Sequence, residues 1–204
     1  MTLTVRNLGF SYGQRRILDA IDATFEAGKL TVILGPNGAG KSTLLACLAG
    51  LLEPQIGNVS LHDADISCMA PTTRARYIGL LPQGAETHWA IMSEALVALG
   101  RIPHARGAGA SANDRRAIAA AMHATATDGF AQRPITQLSG GERARVFEGR
   151  LEALALGVLV DEVLQVLILV EVTVGVLVLR RDVAVEGAAR DLAARLGVPL
   201  LAGI

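Results

Sequence analysis

Apolar and polar positions alternate along "TLTVRNLGFSY", residues 2–12, which is the period-two pattern of a half-buried strand. A tight turn is expected at Tyr12-Gly13, and "ILDAIDATFEAGKL" continues as a second extended stretch. The apolar run "TVILG" then enters a glycine-rich turn, and "KSTLLACLAGLL" follows with helical spacing, giving the order strand, loop, helix. "EPQIGNVSLHDADI" predicts a further turn and strand. From residue 84 to 137 the spacing becomes helical, in "SEALVALG" and "NDRRAIAAAMHATA", with Asn113 the expected N-cap of the second helix. "ARGAGASAND" reads as a flexible loop between helices. A third helix, "RARVFEGRLEALA", follows "LSGGE".

Residues 163–179, "VLQVLILVEVTVGVLVL", are rich in valine and contain Gln165 and Glu171. The run is shorter than the roughly 20 residues of a membrane-spanning helix, and its β-branched residues suit two adjoining buried strands. An amphipathic helix, "DVAVEGAARDLAARLG", and a short strand, "VPLLAGI", are expected after it. The whole reads as one α/β domain over residues 1–204, with a core in 1–83 and 138–204 and a helical insertion in 84–137.

Half of the 204 residues are apolar, enough to bury a core, which excludes a disordered chain. Nineteen basic residues balance nineteen acidic ones, so no excess of positive charge points to nucleic acid. Cys47 and Cys68 fall in a helix and a loop without metal-ligand spacing, the pattern of a reduced cytoplasmic chain. The N-terminus lacks the apolar run of a signal peptide.

The chemistry is concentrated in "GPNGAGKST", Gly35, Pro36, Asn37, Gly38, Ala39, Gly40, Lys41, Ser42 and Thr43, which fits G-x-x-x-x-G-K-[ST] between an apolar strand and a helix. Glycines let successive N–H groups turn inward toward phosphates, and a helix N-terminus adds partial positive charge. Lys41 supplies a mobile charge for β and γ phosphates, and the Ser42 hydroxyl suits Mg²⁺. "LSGGE", residues 138–142, taken alone reads as no more than a serine N-cap at a glycine-rich helix start.

Together, the phosphate loop and "LSGGE" about a hundred residues later resemble the nucleotide-binding subunit of an ABC transporter. "ALVALGRIPH", residues 95–104, resembles the subgroup that energises import of iron-siderophore, haem and cobalamin complexes. The resemblance implies a P-loop NTPase fold of the ABC type, with a parallel-sheet core, N-terminal antiparallel strands and a helical insertion. It implies ATP and Mg²⁺ as cofactors, and a homodimer in which Ser139, Gly140 and Gly141 of one subunit close over ATP held by the other. It also implies membrane permease subunits as partners, indirectly a substrate-binding protein, and a peripheral place on the cytoplasmic face of the membrane. Tyr12 falls where the family stacks an aromatic ring on adenine, and Gln83 where a glutamine meets Mg²⁺ and the attacking water. "VLVDE" ends in Asp161, placed to hold Mg²⁺, and Glu162, placed as general base. Trp89 is either an interface anchor or packed within the insertion.

After about residue 150 the chain departs from the family pattern. Val163 stands where the family has proline, and His62, His88, His104 and His123 all precede "LSGGE", so no histidine follows Glu162. Two readings are therefore open: a transport-coupled ATPase with a truncated or atypical C-terminal part, or a catalytically impaired nucleotide-binding module with an incomplete or frame-shifted half.

Overall fold

β1 (Thr2–Tyr12) and β2 (Arg15–Glu26) pair antiparallel across a two-residue turn at Gly13-Gln14. The turn lies one residue later than the sequence suggests, so Tyr12 stays in the strand, opposite Arg15. The alternation of β1 is interrupted once. Leu3 and Val5 are buried at odd positions, and Leu8 and Phe10 at even ones. Between them the register shifts and Asn7 takes a φ of 47°, its N–H donating to Asp22 Oδ1 at 2.8 Å. An extra residue in one strand moves the following side chains to the other face, and this bulge keeps both halves of β1 on the core.

The computed structural model describes residues 2–26, 29–81, 89–105, 109–156, 166–170 and 176–178. Gln83, His88, Asp161, Glu162, and the helix and short strand expected after residue 181 lie outside them. The described residues group into two compact units, one within 1–83 and 162–182, the other within 84–161.

In the first unit the chain continues through β3 (Lys29–Ile33), α1 (Lys41–Leu48), β4 (Ile56–Leu61), β5 (Ala64–Asp65), α2 (Pro71–Tyr77) and β6 (Gly79–Leu81). α1 stops at Leu48, four residues earlier than the apolar pattern allows, where the N–H groups of Gly50 and Leu51 turn back to the carbonyls of Cys47 and Ala46. One sheet has the order β2-β1-β4-β5, all antiparallel. The other adds β7 (Val166–Val170) and β8 (Val176–Val178) in the order β3-β7-β8-β6. β3 and β7 run parallel, as a phosphate-binding βα unit requires, whereas β8 runs antiparallel to both of its neighbours. Leu3, Val5, Leu8, Phe10, Leu18 and Phe25 of the hairpin bury with Leu44, Leu45 and Leu48 of α1 and Val59 and Leu61 of β4. At about 1.5–3 kcal/mol for each such side chain, this core fixes α1 against the hairpin. Cys47 lies within it, where burial pushes its thiol up to about 11, while Cys68 is exposed.

The second unit is helical: α3 (Ser93–Ala98), a 3₁₀ segment Leu99–His104, α4 (Ala112–Ala124) and α5 (Gly140–Ala155). Ser111, not the expected Asn113, caps α4. Its hydroxyl accepts from the Asp114 N–H, and the Asp114 carboxylate accepts from the Ser111 N–H at 3.0 Å. This reciprocal pair satisfies two helix-start groups that a lone Asn113 would leave open. Leu96, Val97, Ile118, Met122, Val146 and Phe147 are buried in this unit. Among the described residues no helix is long and apolar enough to cross a membrane.

The "LGRIPH" run, which by itself promises no chemistry, closes the C-terminus of α5. A Cβ on Gly100 would stand 2.1 Å from the Arg150 carbonyl oxygen, so only glycine lets the two backbones approach this closely. Arg101 Nη1 donates to the Ala153 carbonyl at 2.8 Å, and His104 Nε2 to that of Leu154 at 2.9 Å. These are last-turn carbonyls with no partner inside the helix, at its negative end. Arg101 is itself paired with Asp114 at 2.9 Å, both side chains 9% exposed. Hydrogen bonds from Ser111 and then Arg101 hold the Asp114 carboxyl down to about 2.

Asp114→Asn leaves Arg101 charged and buried without its counter-ion, and it should cost roughly 3 kcal/mol in a denaturant titration at pH 7. Because Asp114 holds its proton more weakly when folded, its contribution is complete above the unfolded value of about 4 and lost as pH falls toward 2. Below that pH, wild type and Asp114→Asn should converge.

Candidate functional site

The phosphate-loop motif lies between β3 and α1 and brings a helix start and a lysine together. Gly38 and Gly40 take φ of 84° and 87°, and Gly40 is the N-cap of α1 without a side-chain cap. The first turn of α1 carries no acidic residue. The N–H groups of Lys41, Ser42 and Thr43 belong to that turn, so they have no acceptor within the helix and point with its positive end out of it. Lys41 Nζ is folded over the loop, donating to the carbonyls of Gly35 and, at 2.9 Å, Pro36. Those are neutral acceptors, and a doubly charged phosphate oxygen group is a stronger partner for the same ammonium. The Ser42 side chain is exposed at the helix start. Uncapped N–H groups, one ammonium and a hydroxyl fit a polyphosphate with its cation, and no carboxylate in the first turn of α1 repels it.

Gly40 also anchors the loop. A Cβ there would meet Leu18 Cδ2 at 2.9 Å, Ile17 Cγ2 at 3.0 Å and the Ile17 carbonyl at 3.1 Å. The loop therefore sits directly on β2, at residues whose partners in β1 are known: Leu18 pairs with Phe10. Phe10 in turn meets the Tyr12 ring edge-on, with centroids 4.9 Å apart. The chain of contacts Gly40, Leu18, Phe10, Tyr12 brings the phosphate loop and the expected base-stacking ring to the same end of the hairpin. Tyr12 is 55% exposed, so Phe10 orients the ring without covering it. Ile17 and Leu18 hold this geometry, and sequence reasoning did not single them out, because only the fold reveals which strand residues face Gly40.

In the second unit, Ser139 caps α5, as expected of "LSGGE" taken alone, and Glu142 completes a reciprocal box with it. Its N–H donates to Glu142 Oε2 at 2.8 Å, and its hydroxyl accepts from the Glu142 N–H at 3.4 Å. Hydrogen bonds from the Ser139 side chain, then from its N–H, lower the Glu142 carboxyl below the usual range. Gly140 and Gly141 form the first turn, where added Cβ atoms would meet nothing within 4 Å. A helix start lined by glycine is open to close approach from outside. Of the remaining expected site residues, Gln83, Asp161 and Glu162 lie outside the described residues.

The ABC transporter family profile matches residues 18–162, and this chain belongs to that family. It is 42% identical over 141 residues to a hemin import ATP-binding protein of Streptomyces coelicolor, covering 69% of this chain and 50% of that one. It is 37% identical over 147 residues to an iron(3+)-hydroxamate import ATP-binding protein of Bacillus subtilis, covering 72% and 55%. It is 38% identical over 159 residues to a cobalamin import ATP-binding protein of Halobacterium salinarum, covering 78% and 40%. The chain thus spans between 40% and 55% of the length of these relatives. A dimeric bacterial ABC transporter cassette superposes with a TM-score of 0.64 at 25% identity, covering 76% of this chain and 69% of that one.

The loop geometry separates two glycines that look alike in sequence. Alanine at either position is forced into a left-handed φ, but only at Gly40 is its methyl driven into β2, whereas a methyl at Gly38 meets nothing within 4 Å. Gly40→Ala should weaken Mg-ATP binding by about tenfold or more, and Gly38→Ala by clearly less, in equilibrium titrations.

Proposed function

We propose that this chain is the ATP-binding and ATP-hydrolysing subunit of an ABC importer for an iron-siderophore, haem or cobalamin-type substrate. The observation that carries the reading is the start of α1, an uncapped helix N-terminus set on Gly40 with Lys41 folded across the loop. Import is supported by the relatives 37–42% identical, which are cobalamin, iron(3+)-hydroxamate and hemin import ATP-binding proteins. The fold is that of a single cassette, with residues 84–137 as its helical insertion.

Residues 35–43 would cradle the phosphates. Lys41 would exchange the Gly35 and Pro36 carbonyls for β and γ oxygens, and the exposed Tyr12 ring would stack on adenine. Ser42, Gln83 and Asp161 would hold Mg²⁺, which when bound neutralises charge on the phosphates. Glu162 would polarise the attacking water as general base, with Gln83 orienting it. Ser139, Gly140 and Gly141 would serve the nucleotide of a second copy of the chain, their glycines letting backbone N–H groups come close. The homodimer would sit on the cytoplasmic face of the membrane against permease subunits, supplied by an external substrate-binding protein.

One observation favours a second reading, a module that binds ATP without turning it over: residues 163–204 contain no histidine. Phosphate release from Mg-ATP distinguishes the two. Under the first reading the wild-type chain releases phosphate, Glu162→Gln binds ATP but does not release it, and Lys41→Ala loses about tenfold to a hundredfold in affinity. Under the second, wild type binds ATP through Lys41 and releases none. Unchanged ATP affinity in Lys41→Ala would contradict both.

A further inference from the structure

The strand end that carries Tyr12 has an incomplete partner. β1 is paired on both edges only as far as Gly9, which faces Ile56 at the start of β4. Beyond that point Ser11 and Tyr12 pair with Arg16 and Arg15 of β2 on one edge, while β4 does not reach the other. The gap is closed by a side chain. Gln55, the residue before β4, donates its own N–H to the Gly9 carbonyl at 3.1 Å. Its side-chain amide then takes the place of the next strand residue: Oε1 accepts from the Ser11 N–H at 2.8 Å, and Nε2 donates to the Ser11 carbonyl at 3.1 Å.

A two-point match to one residue's N–H and C=O demands a donor and an acceptor side by side, which restricts the choice to an amide. Glutamate lacks the donor, lysine lacks the acceptor, and asparagine is one methylene shorter. Ser11 is the residue immediately before Tyr12, and Phe10, immediately before Ser11, is the ring that orients Tyr12. The amide therefore fixes the peptide between the two aromatic residues, at an edge that strand pairing leaves free.

We infer that Gln55 is a positioning residue for base recognition: by extending the pairing of β1 to Ser11 it holds the Tyr12 ring where the adenine of ATP stacks. The inference rests on the stacking role proposed for Tyr12. It predicts that loss of the amide weakens the binding of the base and leaves the phosphate cradle intact.

The test measures dissociation constants of the full chain for Mg-ATP and for inorganic tripolyphosphate, which has the phosphates without the base, in wild type, Gln55→Ala, Gln55→Glu, Tyr12→Ala and the Gln55→Ala/Tyr12→Ala double variant. Gln55→Ala should weaken Mg-ATP by about threefold to tenfold, with tripolyphosphate unchanged. Gln55→Glu, which keeps the acceptor and loses the donor, should fall in between. The double variant should bind Mg-ATP no more weakly than Tyr12→Ala alone, because the amide acts through the ring. Equal weakening of both ligands by Gln55→Ala would reduce the residue to a fold-stabilising role and overturn the inference. So would unchanged Mg-ATP affinity in Gln55→Ala beside a weakened Tyr12→Ala, which leaves the stacking reading standing. Unchanged Mg-ATP affinity in Tyr12→Ala, with tripolyphosphate still bound, would remove the stacking reading itself and the inference with it.

Discussion

The first unit depends on the seat of Gly40 against Ile17 and Leu18. A glycine with a left-handed φ is the one residue that both ends the loop and lets the backbone rest on β2 at van der Waals distance. From that contact the rest follows. α1 starts without a side-chain cap, its first-turn N–H groups stay available, and its apolar side falls onto the hairpin core through Leu44, Leu45 and Leu48. The same contact passes through Leu18 and Phe10 to Tyr12, so the position of the ring and the position of the phosphate cradle are set together.

The helical unit solves a different problem. α5 is 16 residues long and begins at Gly140 and Gly141. Both of its ends find hydrogen-bond partners in side chains. Ser139 and Glu142 close the start by exchanging hydrogen bonds, while Arg101 and His104 cover the last carbonyls. The buried pair of Arg101 and Asp114 ties that closure to the cap of α4, since Asp114 also bonds Ser111. Buried ion pairs often add little net stability, but this one fixes which carbonyls Arg101 reaches, and so the placement of α5 against α4.

Much of this was legible from residue order alone. The phosphate loop was readable because its chemistry requires glycines, a lysine and a hydroxyl in one contiguous run. The helices of residues 84–155 followed from periodicity, and the two strands within residues 163–179 from their β-branched residues. What was not legible needed partners distant in sequence. Arg101 finds Asp114 thirteen residues away and Ala153 fifty-two away, and nothing in "LGRIPH" announces either. Asn113 looked like a cap because it stands at the head of the apolar pattern, yet Ser111 wins by its reciprocal bond with Asp114. The bulge at Asn7 was hidden because an alternating pattern does not show where it slips by one residue. The direction of β8 was equally hidden, since a valine-rich strand fits parallel and antiparallel pairing alike.

On the proposed function, the N–H groups at the start of α1 are a preformed phosphate cradle. The most direct measurement follows the backbone amide proton resonances of Gly38, Gly40, Lys41, Ser42 and Thr43 during titration with Mg-ATP. These five should shift downfield together and become protected from solvent exchange as the phosphates take up their hydrogen bonds. Saturation with Mg-ATP that left them unshifted, with the changes confined to other parts of the chain, would contradict it.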